Sequence, residues 1–230
     1  MSDYITNKNC SQTFGKQFDE TGQSLPKRRN YYLKVGKPIV DRVLALTFGL
    51  IALPIMAISC LLVGLDGHSP LYSQARVGQN GRHFRMWKIR TMVKEADKRL
   101  AEYLEDNAEA RDEWALYQKL RKDPRITRVG KVLRKASLDE LPQFWNVLVG
   151  DMSIVGPRPM MVGQEALYPG QSYYSLKPGV TGPWQVSDRN DTSFSDRARY
   201  DESYLSSVSP VTDIKLIAAT LRTVVHGSGC

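Results

Sequence analysis

Cysteine and histidine are scarce in this chain of 230 residues, three of each, and their placement removes several kinds of chemistry. Cys10, Cys60 and Cys230 have neither the spacing of a disulfide framework nor that of a zinc site, so a reducing compartment is expected. His68, His83 and His226 stand singly, which suggests no histidine-based triad and no metal cluster. There is no internal repeat and no visible secretory signal. A glycine-rich nucleotide turn after a strand is absent, and so is an Asp-x-Asp metal pair, which argues against a doubly wound enzyme that transfers sugar alone.

Negative charge is also in deficit. The 32 Lys and Arg outnumber the 24 Asp and Glu, for a formal charge of +8. This balance favours an anionic partner, whether nucleic acid, acidic lipid or a phosphorylated substrate. The length suits one domain with attachments.

Residues 1–33 are polar, without sustained apolar periodicity, and read as a flexible tail. Residues 43–65 contain no Asp, Glu, Lys or Arg. As a straight helix that run would measure about 34 Å at about 1.5 Å per residue, enough for a hydrocarbon core of about 30 Å. Pro54 lies at its middle, where it removes a helical hydrogen bond and crowds the preceding turn. Cations flank both ends, Lys34, Lys37 and Arg42 before and Arg76, Arg82 and Arg85 after, so the positive-inside tendency keeps both ends on one side. A broken, re-entrant helix at 34–66 satisfies both features. A proline-kinked helix that crosses once is the alternative.

Beyond it, residues 69–74 and 83–89 read as two strands joined through Asn80-Gly81. Residues 93–120 carry helical periodicity in Leu100, Leu104, Trp114 and Tyr117. That helix either lies at a lipid interface through Trp114 and Tyr117 or packs on the core. A short basic helix is expected at 129–135, and a final helix begins at Ser209-Pro210.

The densest chemistry lies at 134–159, R-K-A-S-L-D-E-L-P-Q-F-W-N-V-L-V-G-D-M-S-I-V-G-P-R-P. Asp139 and Glu140 stand between the cations Lys131, Arg134 and Lys135 and a stiff loop that presents Arg158 between two prolines. A carboxylate is ionised at neutral pH and can attack phosphorus or hold a divalent metal, while arginine neutralises phosphate oxygens. Ser137-Leu138-Asp139-Glu140 also fits a capping box with Ser137 or Asp139 as cap, so the acids could merely start a helix. In either case the helix N-terminus and Arg134 would hold Asp139 ionised. Adjacent helical residues diverge, so the two acids should have different tasks. Arg158 could equally serve a buried structural salt bridge, and Pro178, Gly179 and Gly182 a turn of purely structural purpose.

Together with F-R-M-W-K-I-R-T-M at 84–92, K-P-G-V-T-G-P-W-Q-V at 177–186 and R-N-D at 189–191, this segment resembles the bacterial sugar transferases known as monotopic polyprenyl-phosphate phosphoglycosyl transferases. Its spacing is similar to that of exopolysaccharide-type undecaprenyl-phosphate galactose phosphotransferases, from about Pro38 to about Gly227. The resemblance implies a monotopic protein with a re-entrant hairpin, in a bacterial inner membrane at its cytoplasmic face. It makes Asp139 the nucleophile and Glu140 its dyad partner, with Mg²⁺ held at the pair. Lys88, Arg134, Arg158 and Arg189 match cations of the family's site. Two departures stand out: Leu53 replaces the usual Ser before Pro54, and Asp188 replaces the usual Gly before Arg189.

The expectation is thus an α-rich α+β chain. It has a polar tail at 1–33, a broken re-entrant membrane helix at 34–66 and a small cytoplasmic catalytic domain at 67–227 with interfacial helices and a short β-hairpin. The resemblance implies transfer of a sugar-1-phosphate, galactose favoured, from a UDP-sugar to undecaprenyl phosphate. An aspartyl-phosphosugar would form, UMP would leave, and an exopolysaccharide repeat unit would begin. Membrane lipid is a partner, nucleic acid is not, and a second copy of the chain stays open. A membrane-anchored basic scaffold for acidic lipid or nucleic acid is the rival; it accounts for the charge and the apolar run but not for an Asp-Glu pair followed by Gly-Pro-Arg-Pro.

Overall fold

The computed structural model describes residues 31–187 and 193–225, with side chains to 223. Residues 1–30 of the expected tail, and Arg189 with its neighbour Asp188, lie outside the described residues; residues 31–33, counted in that tail, are instead helical, and the Tyr32 hydroxyl is tied to Asp213. A π-helical turn, Tyr32–Gly36, leads into helix α1, Lys37–Gly64, which has Pro38 in its first turn. Helical backbone continues through Pro54, so the two separate halves expected there are one element, and the proline leaves the carbonyl of Leu50 without its helical donor.

The burial of α1 is inverted relative to a soluble helix. Ala45, Ala52, Ser59 and Val63 face the protein, while Leu46, Leu50, Ile51, Ile58, Leu61 and Leu62 are exposed. A helix at the centre of a soluble protein buries its large apolar side chains. Here small residues admit close approach to the protein and the large ones are left for an apolar surrounding. α1 is long and apolar enough to cross a membrane.

Both ends of α1 are tied to the rest of the chain. At the start, Lys37 donates to Asp213 at 2.6 Å, Tyr32 donates to the same carboxylate at 2.7 Å, and the Tyr204 hydroxyl donates to its other oxygen. Asp41 accepts from the Ser153 hydroxyl at 2.7 Å and from the Ile154 amide at 3.0 Å. Lys37 is paired with buried Asp213 and Asp41, so removing it would leave two buried carboxylates held by neutral donors alone. At the other end, Val63 packs with Ile89 and Leu133, and Arg90 donates to the Val63 carbonyl at 3.3 Å and pairs with Asp66 at 2.6 Å.

The expected hairpin forms, with β1 Leu71–Val77 antiparallel to β2 His83–Ile89, Tyr72 opposite Lys88 and Arg76 opposite Phe84. Asn80 and Gly81 have positive φ in the connection. The long helix expected at 93–120 is instead two, α2 Ala96–Asp106 and α3 Ala108–Tyr117. Asn107 is extended and its side chain accepts from the Ala110 amide at 3.0 Å, a cap that stops one helix and starts the next. Trp114 stacks on Arg125 at 5.4 Å, which a bidentate pair with Asp123 fixes. The protein, then, supplies one neighbour of this ring.

Helix α4, Arg128–Lys135, is capped by Thr127, and α5 spans Gln143–Val149. An unexpected second sheet follows, β3 Ser153–Val155 parallel to β4 Gly179–Thr181. Short helices α6 Ser172–Ser175 and α7 Pro183–Val186 precede α8 Arg197–Ser207 and α9 Pro210–Val225. The main core joins Ala45 of α1, Met86 of β2, Val147 of α5, Ile154 and Val155 of β3, and Tyr204 and Leu205 of α8. It is mostly helical, with two small sheets rather than the single hairpin expected.

Candidate active site

The chain leaves α4 through Ser137, whose φ of 55° reverses it into a single 3₁₀ turn, Leu138–Glu140. Neither expected cap is made. Ser137 forms no side-chain capping bond and α5 starts after Pro142. Glu140 instead reaches Lys88, 2.8 Å away on β2. A tertiary ion pair has replaced the local one. Because a 3₁₀ turn advances about 120° per residue, Asp139 and Glu140 point apart, Asp139 buried and Glu140 half-exposed, in keeping with separate tasks.

Lys88 bridges them, at 2.8 Å from Glu140 and 3.9 Å from Asp139. Asn146 of α5 holds the strand in place by accepting from the Trp87 amide at 3.0 Å and donating to the Arg85 carbonyl at 2.7 Å. Arg134 is anchored by the Thr91 hydroxyl at 2.9 Å. Burial pushes the Asp139 carboxyl above its ordinary range and Glu140 adds to this, while Lys88, Arg134 and Arg158 pull it down. The expectation that its cations and a helix N-terminus would prevail is therefore corrected: no α-helix starts at Asp139, and desolvation is the larger effect.

Arg158 sits on a loop held by paired backbone. The Gly156 amide donates to the Thr181 carbonyl and the Gly179 amide to the Pro157 carbonyl, both at 2.8 Å. Its guanidinium is 3.9 Å from Glu140 and 5.9 Å from the centre of the Trp184 ring. At 35% exposure with one long carboxylate contact, it is not the buried structural bridge that was its alternative. A cavity beside it is lined by Arg76, Lys88, Glu140, Gln143, Arg158 and Gln185, among others. Of the expected site residues, Lys88, Glu140 and Arg158 line it, Asp139 adjoins it through Lys88, and Arg134 does not line it but acts electrostatically on Asp139.

Arg76 and Gln185 were missed. Arg76 was legible, because residues directly opposite in an antiparallel pair share a face and alternate residues repeat it: once Lys88 is assigned to the site, Tyr72, Gln74 and Arg76 fall on its side of the hairpin.

Among the described residues no group of three His, Cys, Asp or Glu side chains is placed to hold a metal. Mg²⁺ takes one or two carboxylates when substrate phosphates and water complete its shell, and the carboxylates of Asp139 and Glu140, both reached by the Lys88 ammonium, are of the chemical kind that the ion uses.

A two-carboxylate turn with cations around it thus stands beside a helix whose large apolar side chains are exposed. The bacterial sugar transferase family model matches residues 32–227, and the chain belongs to that family. A UDP-galactose-lipid carrier transferase of Erwinia amylovora is 42% identical over 208 residues, 90% of this chain and 43% of that protein. The exopolysaccharide production protein ExoY of Sinorhizobium fredii is 42% identical over 175 residues, 74% of this chain and 77% of that protein. An undecaprenyl-phosphate galactose phosphotransferase of Salmonella typhimurium is 41% identical over 208 residues, 90% of this chain and 43% of that protein. The chain spans less than half of the Erwinia and Salmonella proteins and about three quarters of the Sinorhizobium one.

Proposed function

We propose that this sugar transferase moves a sugar-1-phosphate from a UDP-sugar to undecaprenyl phosphate and so starts a repeat unit of exopolysaccharide. The observation that carries this reading is the buried Asp139 beside Glu140, with Lys88 shared between them and the charges of Arg134 and Arg158 acting on Asp139. A basic scaffold has no use for a carboxylate buried at such cost.

In the first step an Asp139 carboxylate oxygen attacks the sugar-linked phosphorus. The bond from that phosphorus to the bridging oxygen breaks, and UMP leaves. In the second, an oxygen of undecaprenyl phosphate attacks the same phosphorus and the Asp139 carboxylate is released, leaving a lipid diphosphosugar. Lys88 and Arg158 bind and neutralise phosphate oxygens, as Arg189 would. Glu140 orients Lys88 and, with Asp139, would hold Mg²⁺. When bound, the ion neutralises diphosphate oxygens. Galactose is the favoured sugar, since two of the relatives are named for it.

Product identity tests the reading. Given a panel of UDP-sugars with Mg²⁺ and undecaprenyl phosphate, the chain should release UMP, with UDP-galactose the fastest donor. UDP as product would make it a transferase of sugar alone, and no product would favour the scaffold.

We further propose that α1 enters the membrane and stays monotopic, at the cytoplasmic face of a bacterial inner membrane. Both its ends contact one domain, and a helix that crossed would carry one of them to the opposite side. In intact membranes, single cysteines at Lys34 and Ala75, with the native cysteines removed, should react with an impermeant maleimide only from the cytoplasmic side. Periplasmic labelling at Lys34 would make α1 a spanning helix.

A further inference from the structure

Three guanidiniums converge on the Glu140 side of the site. Arg76 lines the cavity with Arg158, and its Nη atoms donate to the Pro159 carbonyl at 3.1 Å and to Gln74 at 2.7 Å. Arg197 of α8 stacks on the Trp184 ring at 4.2 Å, the same ring that Arg158 approaches. Among the described residues no carboxylate lies within 4.0 Å of Arg76 or Arg197, and the Nε of each is buried without a hydrogen-bond partner. Burial lowers the pKa of both and Arg158 lowers it further by repulsion, offset in part by Glu140 for Arg76 and by Asp201 for Arg197. A protein that gathers like charges in this way leaves a cost that a bound anion would remove.

The same cavity holds an acceptor. Gln185 is 7% exposed, its Nε2 is 3.5 Å from the Val180 carbonyl, and its Oε1 has no partner. Fully ionised phosphate oxygens cannot satisfy that atom, whereas a hydroxyl can. A ligand that matches the cavity therefore combines a phosphate group with a nearby hydroxyl. Undecaprenyl phosphate has no hydroxyl on its chain, but both the ribose and the sugar of a nucleotide sugar carry several.

We propose that Arg76, Arg158 and Gln185, with Arg197 behind them, form the subsite that holds the phosphate of the nucleotide-sugar donor and one of its hydroxyl groups. This rests on the donor chemistry of the preceding subsection. It adds Arg76 and Gln185 to the binding residues and gives Arg197 a supporting role through Trp184.

The test uses the full chain in nanodiscs with Mg²⁺, and titrates UMP and uridine separately. Arg76→Lys keeps the charge but loses the planar fork; it should weaken UMP binding about tenfold, the scale of one charge-assisted hydrogen bond, while uridine binding and the KM for undecaprenyl phosphate stay at wild-type values. Gln185→Met preserves the length and removes the acceptor. It should raise the KM for the UDP-sugar several-fold, again without change toward the lipid, and it serves if Arg76→Lys does not fold. Unchanged UMP binding in a folded Arg76→Lys protein, no binding of UMP by the wild type, or a rise in the lipid-phosphate KM alone overturns the subsite. The reaction assignment fails separately: a wild-type chain that binds UMP but releases none from any UDP-sugar keeps the subsite and loses the reaction.

Discussion

Asp139→Asn should abolish the burst of UMP that the wild-type chain releases, in an amount no larger than the enzyme, when mixed with UDP-sugar and Mg²⁺ without lipid acceptor. In the wild type the sugar phosphate should stay on the protein and be found by mass spectrometry as an adduct on Asp139. An amide in that position cannot form the acyl phosphate, so turnover should fall by several orders of magnitude. Glu140→Gln, which removes the nearer carboxylate partner of Lys88, should slow turnover while leaving an adduct. A burst that survives in Asp139→Asn would make direct attack by the lipid phosphate the better mechanism.

Folding should survive that substitution, and the electrostatics give its sign. The folded-state pKa of Asp139 lies above its ordinary value because burial outweighs the surrounding cations. A raised carboxyl pKa means that the native state holds the proton more tightly than the unfolded state. The resulting stability is present in full below the ordinary carboxylate pKa and is lost as the pH rises through the folded one. Asparagine has no such loss. Asp139→Asn should accordingly melt at or above the wild-type temperature at pH 7, with the difference shrinking as the pH falls below the ordinary carboxylate range. An inactive variant with a raised melting temperature separates loss of chemistry from loss of fold.

What could be read from the chain alone was what depends on neighbours along it. The hairpin was legible because alternation and Asn80-Gly81 point the same way, and the exposed leucines and isoleucines of α1, Ile39 apart, fall in the run without charge. Local patterns failed where distant groups competed. Ser137 to Glu140 matches a capping box letter for letter, yet Glu140 pairs with Lys88, 52 positions earlier, and Pro142 begins α5 afresh. The helix expected at 93–120 ignored a local signal that was present, since Asn107 is an effective cap. Lys37 and Asp213, 176 positions apart, carry no pattern that links them. The strands β3 and β4 are three residues each, too short to show a period. Arg134 and Arg158 flank the dyad in sequence and both act electrostatically on Asp139; Arg76 and Gln185 reach the cavity beside it only through the register of the hairpin and the placement of α7 after β4.

Those two short strands support the second large effect expected. Gly179 of β4 faces Gly156 so closely that a Cβ on Gly179 would lie 2.1 Å from the Gly156 nitrogen and 2.3 Å from the Thr181 carbonyl oxygen. A Cβ on Gly182 would lie 2.0 Å from the Gly156 carbonyl oxygen. All three obstacles are backbone atoms, so no side chain can swing aside, and the strands must separate to admit a methyl group. Their separation breaks the bonds that hold the Gly156 to Pro159 loop, and with them the position of Arg158 over Glu140. Gly179→Ala should cost about 3 kcal/mol or more, a fall of about 6–12 °C in melting temperature for a domain of this size, and should remove nearly all transfer activity. Gly64→Ala is the control: a Cβ there meets nothing within 4 Å, and melting and turnover should match the wild type. A Gly179→Ala protein with wild-type melting and full activity would show that the loop does not depend on β4 and that Arg158 is positioned by other contacts.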